Sequence, residues 1–309
     1  MATADVGYRT SENPRFNPAA RLMELLRRRE IIGNLAGKEL KVKYKSTVLG
    51  VAWSMLNPLL YLVVFYIVFQ VLLSGAIPDF AVFLLSGLLG YTLFSTALQT
   101  STTSVVDNAP LVTKVAFPRE ILPLSTIGAA LVNFFYQLAV LILFMLVIGY
   151  GFTGWGLLLV PAALAVLLLF TTAVSLGTSA LNVRYRDTRH MVELSLVAWF
   201  WITPIVYQPS LVLDKLDGLA RALYLANPLT AVTMAFQRAL YGVRVACPQD
   251  GGSGLPGRLA PPECSHVLPD PGLSWYFGRL GLLAAASIVL LLLTWWFFFR
   301  RSGDFAEEV

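Results

Sequence analysis

From residue 46 to 78, from 80 to 106 and again from 121 to 183, the chain contains no Asp, Glu, Lys or Arg. Soluble domains carry about 25% charged residues, spread over their surfaces. Stretches this long without charge would turn wide apolar faces to water. They suit a bilayer instead, where about 20 apolar residues cross the hydrocarbon core as a helix with every backbone group bonded inside the segment. A β-barrel is excluded, because its strands alternate apolar and polar residues in segments of about ten. Hydrophobic residues make up 57% of the chain and charged residues 13%, and mean hydropathy is +0.68. Those values exclude a disordered chain as well.

The sequence therefore predicts an all-α integral membrane protein with six transmembrane helices, at residues 49–73, 80–101, 122–148, 155–181, 191–207 and 273–299. The fifth contains Glu193 and runs into Pro204 and Pro209, so a short or broken helix is expected there. Around the transmembrane domain, 49–299, lie a polar tail (1–20), an interfacial segment (21–48) and a second tail (300–309). The first tail lacks the apolar core of a cleavable signal, so the first span is expected to direct insertion. Ten Lys and Arg precede residue 49, and others stand at Lys114, Arg119, Arg184, Arg186, Arg189, Arg300 and Arg301. The short loops 74–79 and 149–154 hold none. The positive-inside rule then puts both termini in the cytosol and the long 208–272 segment outside.

Within residues 21–36, Leu22, Leu25, Leu26 and Ile32 share one helical stripe with Leu35 at its edge, and only Arg29 interrupts it. A basic amphipathic helix beside a span lies on the anionic cytosolic leaflet; a solvated basic face without a partner is the alternative. On the outer side, residues 202–242 stay apolar but are broken by Pro204, Pro209, Asn227 and Pro228. That pattern predicts short re-entrant helices that dip without crossing, with protein covering their free backbone groups. Residues 246–272 are rich in Gly and Pro and are expected to form an irregular loop. Both cysteines, Cys247 and Cys264, fall in it. An oxidising compartment favours a disulfide, which would close a loop of about 18 residues and contribute roughly 3 kcal/mol. Two free thiols are the alternative.

No G-x-x-x-x-G-K-[ST] or G-x-G-x-x-G motif is present, and the two histidines, His190 and His266, lie far apart. A nucleotide site and a His/Cys metal site are therefore not expected. Ion-coupled transporters carry ionisable groups inside the bilayer; the first four spans have none, so a transporter of this kind would draw energy from a partner. What the spans do carry is aromatic and amide. Trp53, Asn57, Tyr61 and Phe65 recur every four residues in the first, Tyr91, Phe94 and Gln99 lie in the second, and Asn133, Phe134, Tyr136 and Gln137 in the third. Aromatic faces can stack on sugar rings and amides can bond hydroxyls; helix packing and interfacial belts use the same residues. The loop 107–123 mixes Leu111, Val115 and Ile121 with Lys114, Arg119 and Glu120. It suits a short helix lying flat on the membrane, either inserted into a groove on a cytosolic partner or resting on headgroups alone.

Four stretches resemble one family: Lys43-Tyr-Lys-Ser-Thr-Val-Leu-Gly-Val-Ala-Trp-Ser-Met-Leu-Asn-Pro-Leu, Asn108 to Pro123 around Phe117-Pro-Arg-Glu, Asn182-Val-Arg-Tyr-Arg-Asp, and Asn227-Pro-Leu. With the six spans, they make the chain similar to type 2 ABC exporter permeases of the polysaccharide, O-antigen and teichoic-acid export branch. The resemblance implies a homodimer of permeases with two ABC ATPase subunits in a bacterial cytoplasmic membrane. ATP and Mg would be bound by the ATPase, with no cofactor or catalytic residue in this chain and no nucleic acid. It implies a coupling helix at 108–119 that docks on the ATPase through Asn108, Leu111, Lys114, Phe117, Pro118, Arg119 and Glu120. Lys41, Tyr44, Lys45, Arg184 and Arg186 would receive the pyrophosphate of a lipid-linked glycan at the cytosolic mouth. Trp53, Asn57, Tyr61, Phe65, Tyr91, Asn133 and Tyr136 would line the path, and the short outer helices would gate it. A permease for drugs or small lipids, and a membrane glycosyltransferase or ligase, are the competing expectations.

Overall fold

The computed structural model describes residues 17–45, 50, 53–72, 77–115, 117–151, 154–246, 265–269 and 271–308. Thirteen helices lie among them: α1 (Pro18–Arg27), α2 (Arg29–Tyr44), α3 (Trp53–Phe65), α4 (Phe80–Asp107), α5 (Ala109–Lys114), α6 (Ile121–Val147), α7 (Leu159–Arg184), α8 (Thr188–Ile202), α9 (Pro209–Lys215), α10 (Gly218–Ala226), α11 (Pro228–Leu240), α12 (Leu273–Arg301) and α13 (Phe305–Glu308). A π-helical turn, Tyr66–Leu72, extends α3, and a 3₁₀ turn, Gly154–Leu158, leads into α7. Two short strands, β1 (Val245–Ala246) and β2 (Ser265–His266), pair antiparallel.

Four of these helices are long and apolar enough to cross a bilayer alone: Phe80–Asp107, Ile121–Val147, Gly154–Arg184 and Leu273–Arg301. The other two expected spans are weaker. In α3, Pro58 removes an N–H from the ladder, and the π-helical turn carries the apolar run to Leu72. α8 has 15 residues, about 22 Å at 1.5 Å per residue, short of the roughly 30 Å core. It ends at Ile202, and Thr203–Tyr207 is bent chain, as Pro204 led one to expect.

α4 is the central helix, packing on α6, α7, α8 and α11, while α12 lies along α7. Small residues allow the closest approaches. A Cβ on Gly90 would stand 3.0 Å from the Phe236 ring, and one on Gly87 2.8 Å from Gln237 Nε2. α11 is thus a buried helix that does not cross. Asn227 caps it, its Oδ1 accepting from the Leu229 N–H at 3.1 Å, with Pro228 at the first helical position. Gln237 Nε2 donates to the Pro204 carbonyl at 3.0 Å, which satisfies one backbone group freed by the bend after α8.

The amphipathic segment differs from the single flat helix expected. It breaks at Arg28, and α2 then climbs along α6, with Ala36 against Gly128 and Tyr44 at Asn133. Leu25 is buried and Ile32 and Leu35 pack partly, but Leu22 and Leu26 stay exposed. The end of the bundle carrying α1, α5 and α13 is called basal below, and the opposite end distal. The ladder β1–β2 stops one residue short of each cysteine; Cys247 and Cys264, and most of the Gly/Pro loop, lie outside the described residues.

Candidate translocation groove and coupling surface

Three helices build a cavity of about 360 Å³. α3 supplies Asn57, Tyr61 and Phe65, and α4 supplies Tyr91, Thr92, Ser95, Thr96 and Gln99. α8 closes the far wall with Phe200 and Trp201 and places Glu193 at the basal end. The aromatic wall is continuous. Tyr61 stacks on Phe65 at 5.8 Å and on Phe200 at 6.0 Å, Phe65 on Phe200 at 5.9 Å, and Tyr91 meets Phe200 edge-on at 5.2 Å. Such offset and edge-on contacts hold the rings in place while leaving π-faces at the surface. The Tyr91 hydroxyl donates to the Leu196 carbonyl at 2.6 Å, which ties α8 to α4.

The floor is polar. Thr92 donates to the Leu88 carbonyl and Ser95 to the Thr92 carbonyl at 3.3 Å. With their protons spent on the helix, these hydroxyls present lone pairs to the cavity. Beside them the Gln99 amide offers donors and an acceptor. Rings for stacking, acceptors and an amide together suit a polyhydroxylated guest better than a hydrocarbon.

The expected path residues divide into two groups. Asn57, Tyr61, Phe65 and Tyr91 share this cavity. Trp53 is half exposed on α3 outside the lining. Asn133 is buried on α6, where its Oδ1 accepts from the Tyr44 hydroxyl at 2.8 Å, and Tyr136 is exposed on the same helix. Tyr44 therefore braces α2 against α6 rather than standing free at a mouth. Phe200 and Trp201 were missed; the Trp199-Phe200-Trp201 run was the signal for them. Trp199 itself turns away to donate to Asn227 Oδ1 at 2.8 Å.

The basic residues expected at the mouth also separate. Lys41 and Lys45 are exposed on α2. Arg184 ends α7 and points to Glu308 of α13, Nη1 to Oε1 3.9 Å, with Arg186 exposed beyond it. They sit on different elements, and nothing in their contacts joins them into one anion site.

The coupling segment is more compact than expected. Its helix is the six-residue α5; Val115 is irregular, Phe117 sits in a bend, and Arg119 and Glu120 form a turn. Lys114 and Val115 are exposed and Leu111 half-buried, whereas Val112 and Pro118 are buried. Asn108 is held from two sides: Lys38 Nζ donates to its Oδ1 at 3.3 Å, and its Nδ2 donates to the Ser104 carbonyl at 2.9 Å. Arg119 lies over the Phe305 ring at 5.9 Å, and burial lowers its pKa against the opposing pull of Glu120 and Asp304. Phe117 is half-buried, packed on the basal core. Glu120 is fully buried. Its Oε1 stands 3.2 Å from Arg21 Nε and accepts from Trp295 Nε1 at 3.4 Å. Glu120 and Pro118 are thus internal supports, and the face open to a partner is Leu111, Lys114 and Val115.

The sequence profile of the ABC-2 type transporter family matches residues 32–241. The O-antigen export system permease protein RfbA of Myxococcus xanthus is 35% identical over 226 residues, covering 72% of this chain and 84% of that protein. A protein of the same name from Klebsiella pneumoniae is 32% identical over 208 residues, covering 66% and 77%. A second from that organism is 30% identical over 203 residues, with the same coverage. With the matched region running from α2 to the end of α11, the chain belongs to the ABC-2 type transporter family of membrane proteins.

Proposed function

We propose that this chain is the membrane permease subunit of an ATP-driven exporter that moves a lipid-linked polysaccharide of the O-antigen class out of the cytosol. The observation that carries the substrate class is the groove: stacked aromatic rings over a floor of hydroxyls and amide, on a chain whose relatives are named O-antigen export permeases. In this reading α3 and α8 complete six crossings, and both termini lie in the cytosol of a bacterial cytoplasmic membrane. The groove is open on one side. Val63 and Val64 of α3, Ile67 of the π-helical turn after it, and Leu194 and Val197 of α8 are exposed, and a second copy would cover them. Two ATPase subunits binding ATP and Mg would dock on Leu111, Lys114 and Val115.

The test is co-purification in mild detergent from native membranes, followed by ATP hydrolysis and polymer export. An ABC ATPase should co-purify. Lys114→Glu should lower coupled hydrolysis at least tenfold. Tyr61→Ala with Phe200→Ala should lower export while the complex still assembles. A chain that purifies alone and hydrolyses nothing, or an aromatic double variant that exports normally, would overturn the proposal.

A further inference from the structure

A cavity larger than the groove lies at the distal end, away from it, between α10, α11 and α12. Its volume is about 650 Å³. Two arginines line it, Arg221 from α10 and Arg279 from α12, and no Asp or Glu does. Arg279 is six residues into an otherwise uncharged apolar run, about 9 Å along the helix from Leu273. An arginine at such a place is costly unless a partner receives it. Its guanidinium lies 5.3 Å from the Trp275 ring, yet Nε is buried without a hydrogen-bond acceptor, and among the described residues no carboxylate pairs with it. One turn further along α12 the lining is mostly apolar: Leu282, Leu283 and Ala286 share it with Leu225 of α10 and Ala231 of α11, and the one amide there, Asn227, is already bonded to Trp199, Thr203 and the Leu229 N–H.

The cavity is therefore graded, cationic toward the end of the bundle and hydrocarbon toward its middle. That is the order of groups in a membrane phospholipid. We infer that this cavity binds one anionic glycerophospholipid, its phosphate held by Arg279 and Arg221 and one acyl chain lying along Leu282 and Leu283. Guanidinium groups bind phosphate oxygens through charge-assisted, often bidentate hydrogen bonds, and basic pockets between membrane helices are suited to anionic headgroups. The unpaired Arg279 Nε supplies one donor, and the exposed Arg221 supplies the second cation at the rim. The site does not depend on the export reading, because it uses none of the groove or coupling residues. Through α10 and α11 it would tie the short distal helices to the lipid around them.

The test is native mass spectrometry of the full-length protein, purified in mild detergent with whatever subunit accompanies it, then titrated with phosphatidylglycerol or phosphatidylcholine. One phosphatidylglycerol should remain bound per chain under conditions that strip phosphatidylcholine. Arg279→Gln should weaken retention about tenfold, the loss expected for one charge-assisted hydrogen bond, and Arg279→Lys should retain most of it. Should Arg279→Gln fail to fold, Arg221→Gln tests the same point from an exposed position and should weaken retention as well. Equal retention of the two lipids would overturn the proposal, as would unchanged phosphatidylglycerol binding in Arg221→Gln. So would displacement of phosphatidylglycerol by lower concentrations of a polyprenyl pyrophosphate.

Discussion

At the scale of single residues, Glu120 has the most demanding position. It is a fully buried carboxylate whose nearest cation, Arg21, is itself mostly covered. Removing one member of a buried pair leaves the other charge uncompensated, which costs about 3–5 kcal/mol when both are fully enclosed. Arg21 keeps some solvent contact, so Arg21→Leu should cost nearer 2 kcal/mol. The double variant Arg21→Leu with Glu120→Leu should recover much of that loss. Thermal unfolding of the detergent-solubilised protein measures both, and equal melting of single variant and wild type would show that the pair contributes nothing. None of this was legible in the sequence, where Glu120 sits in an amphipathic loop and is expected among the residues that dock on the ATPase. Its burial depends on Arg21 and Trp295, and long-range pairing leaves no local pattern. Tyr44 and Asn133 make the same point, bonded across 89 residues. By contrast Asn57, Tyr61 and Phe65 were legible as a set, because spacing by four is visible along one helix.

At the scale of elements, the contact of α4 with α11 rests on glycine. Gly90 faces the Phe236 ring so closely that Gly90→Ala would force a buried aromatic ring to move. Overpacking of this kind costs about 1–3 kcal/mol, and the shift should appear as a lower melting temperature. The apolar spans were legible because lipid demands uninterrupted apolar helices. The true limits of α8 were less so, since Pro204 marked a break but not the bent stretch that follows. A second element-scale prediction concerns the distal loop. The Val267 N–H donates to the Arg244 carbonyl at 2.9 Å, and the ladder pairs Val245 with His266 and Ala246 with Ser265. Continued by one step, that register would set Cys247 against Cys264, which lie outside the described residues. Were the ladder to continue, alternation would make it a non-hydrogen-bonded pair, the spacing that sets side chains closer. A disulfide between them is expected, and peptide mapping under non-reducing conditions should find the linked fragments; free thiols at both positions would refute it.

At the scale of the whole molecule, α1, α5, the last turns of α12 and α13 form one basal cap. Leu25, Val112, Phe298 and Phe305 share its core, and the Arg21 guanidinium lies 5.0 Å from the Phe299 ring. Phe305 is 1% exposed, so Phe305→Ala should cost about 3 kcal/mol locally. A loss of that size should lower the steady-state amount of protein in membranes several-fold, as an immunoblot would show; an unchanged amount would make α13 dispensable. The cap joins α1 and α5 to the last turns of α12 and to α13, which are made much later. Arg21 leaves the ribosome long before Trp295 and Phe305 exist, so the first helix has no finished seat until the last has been inserted. A chain released early would lack Trp295, Phe298 and Phe305 and so leave Leu25 and Val112 uncovered, an exposed apolar surface of the kind that invites degradation. Closure of the cap thus waits on the insertion of α12, and α5, packed against α13, takes its final position only after that step.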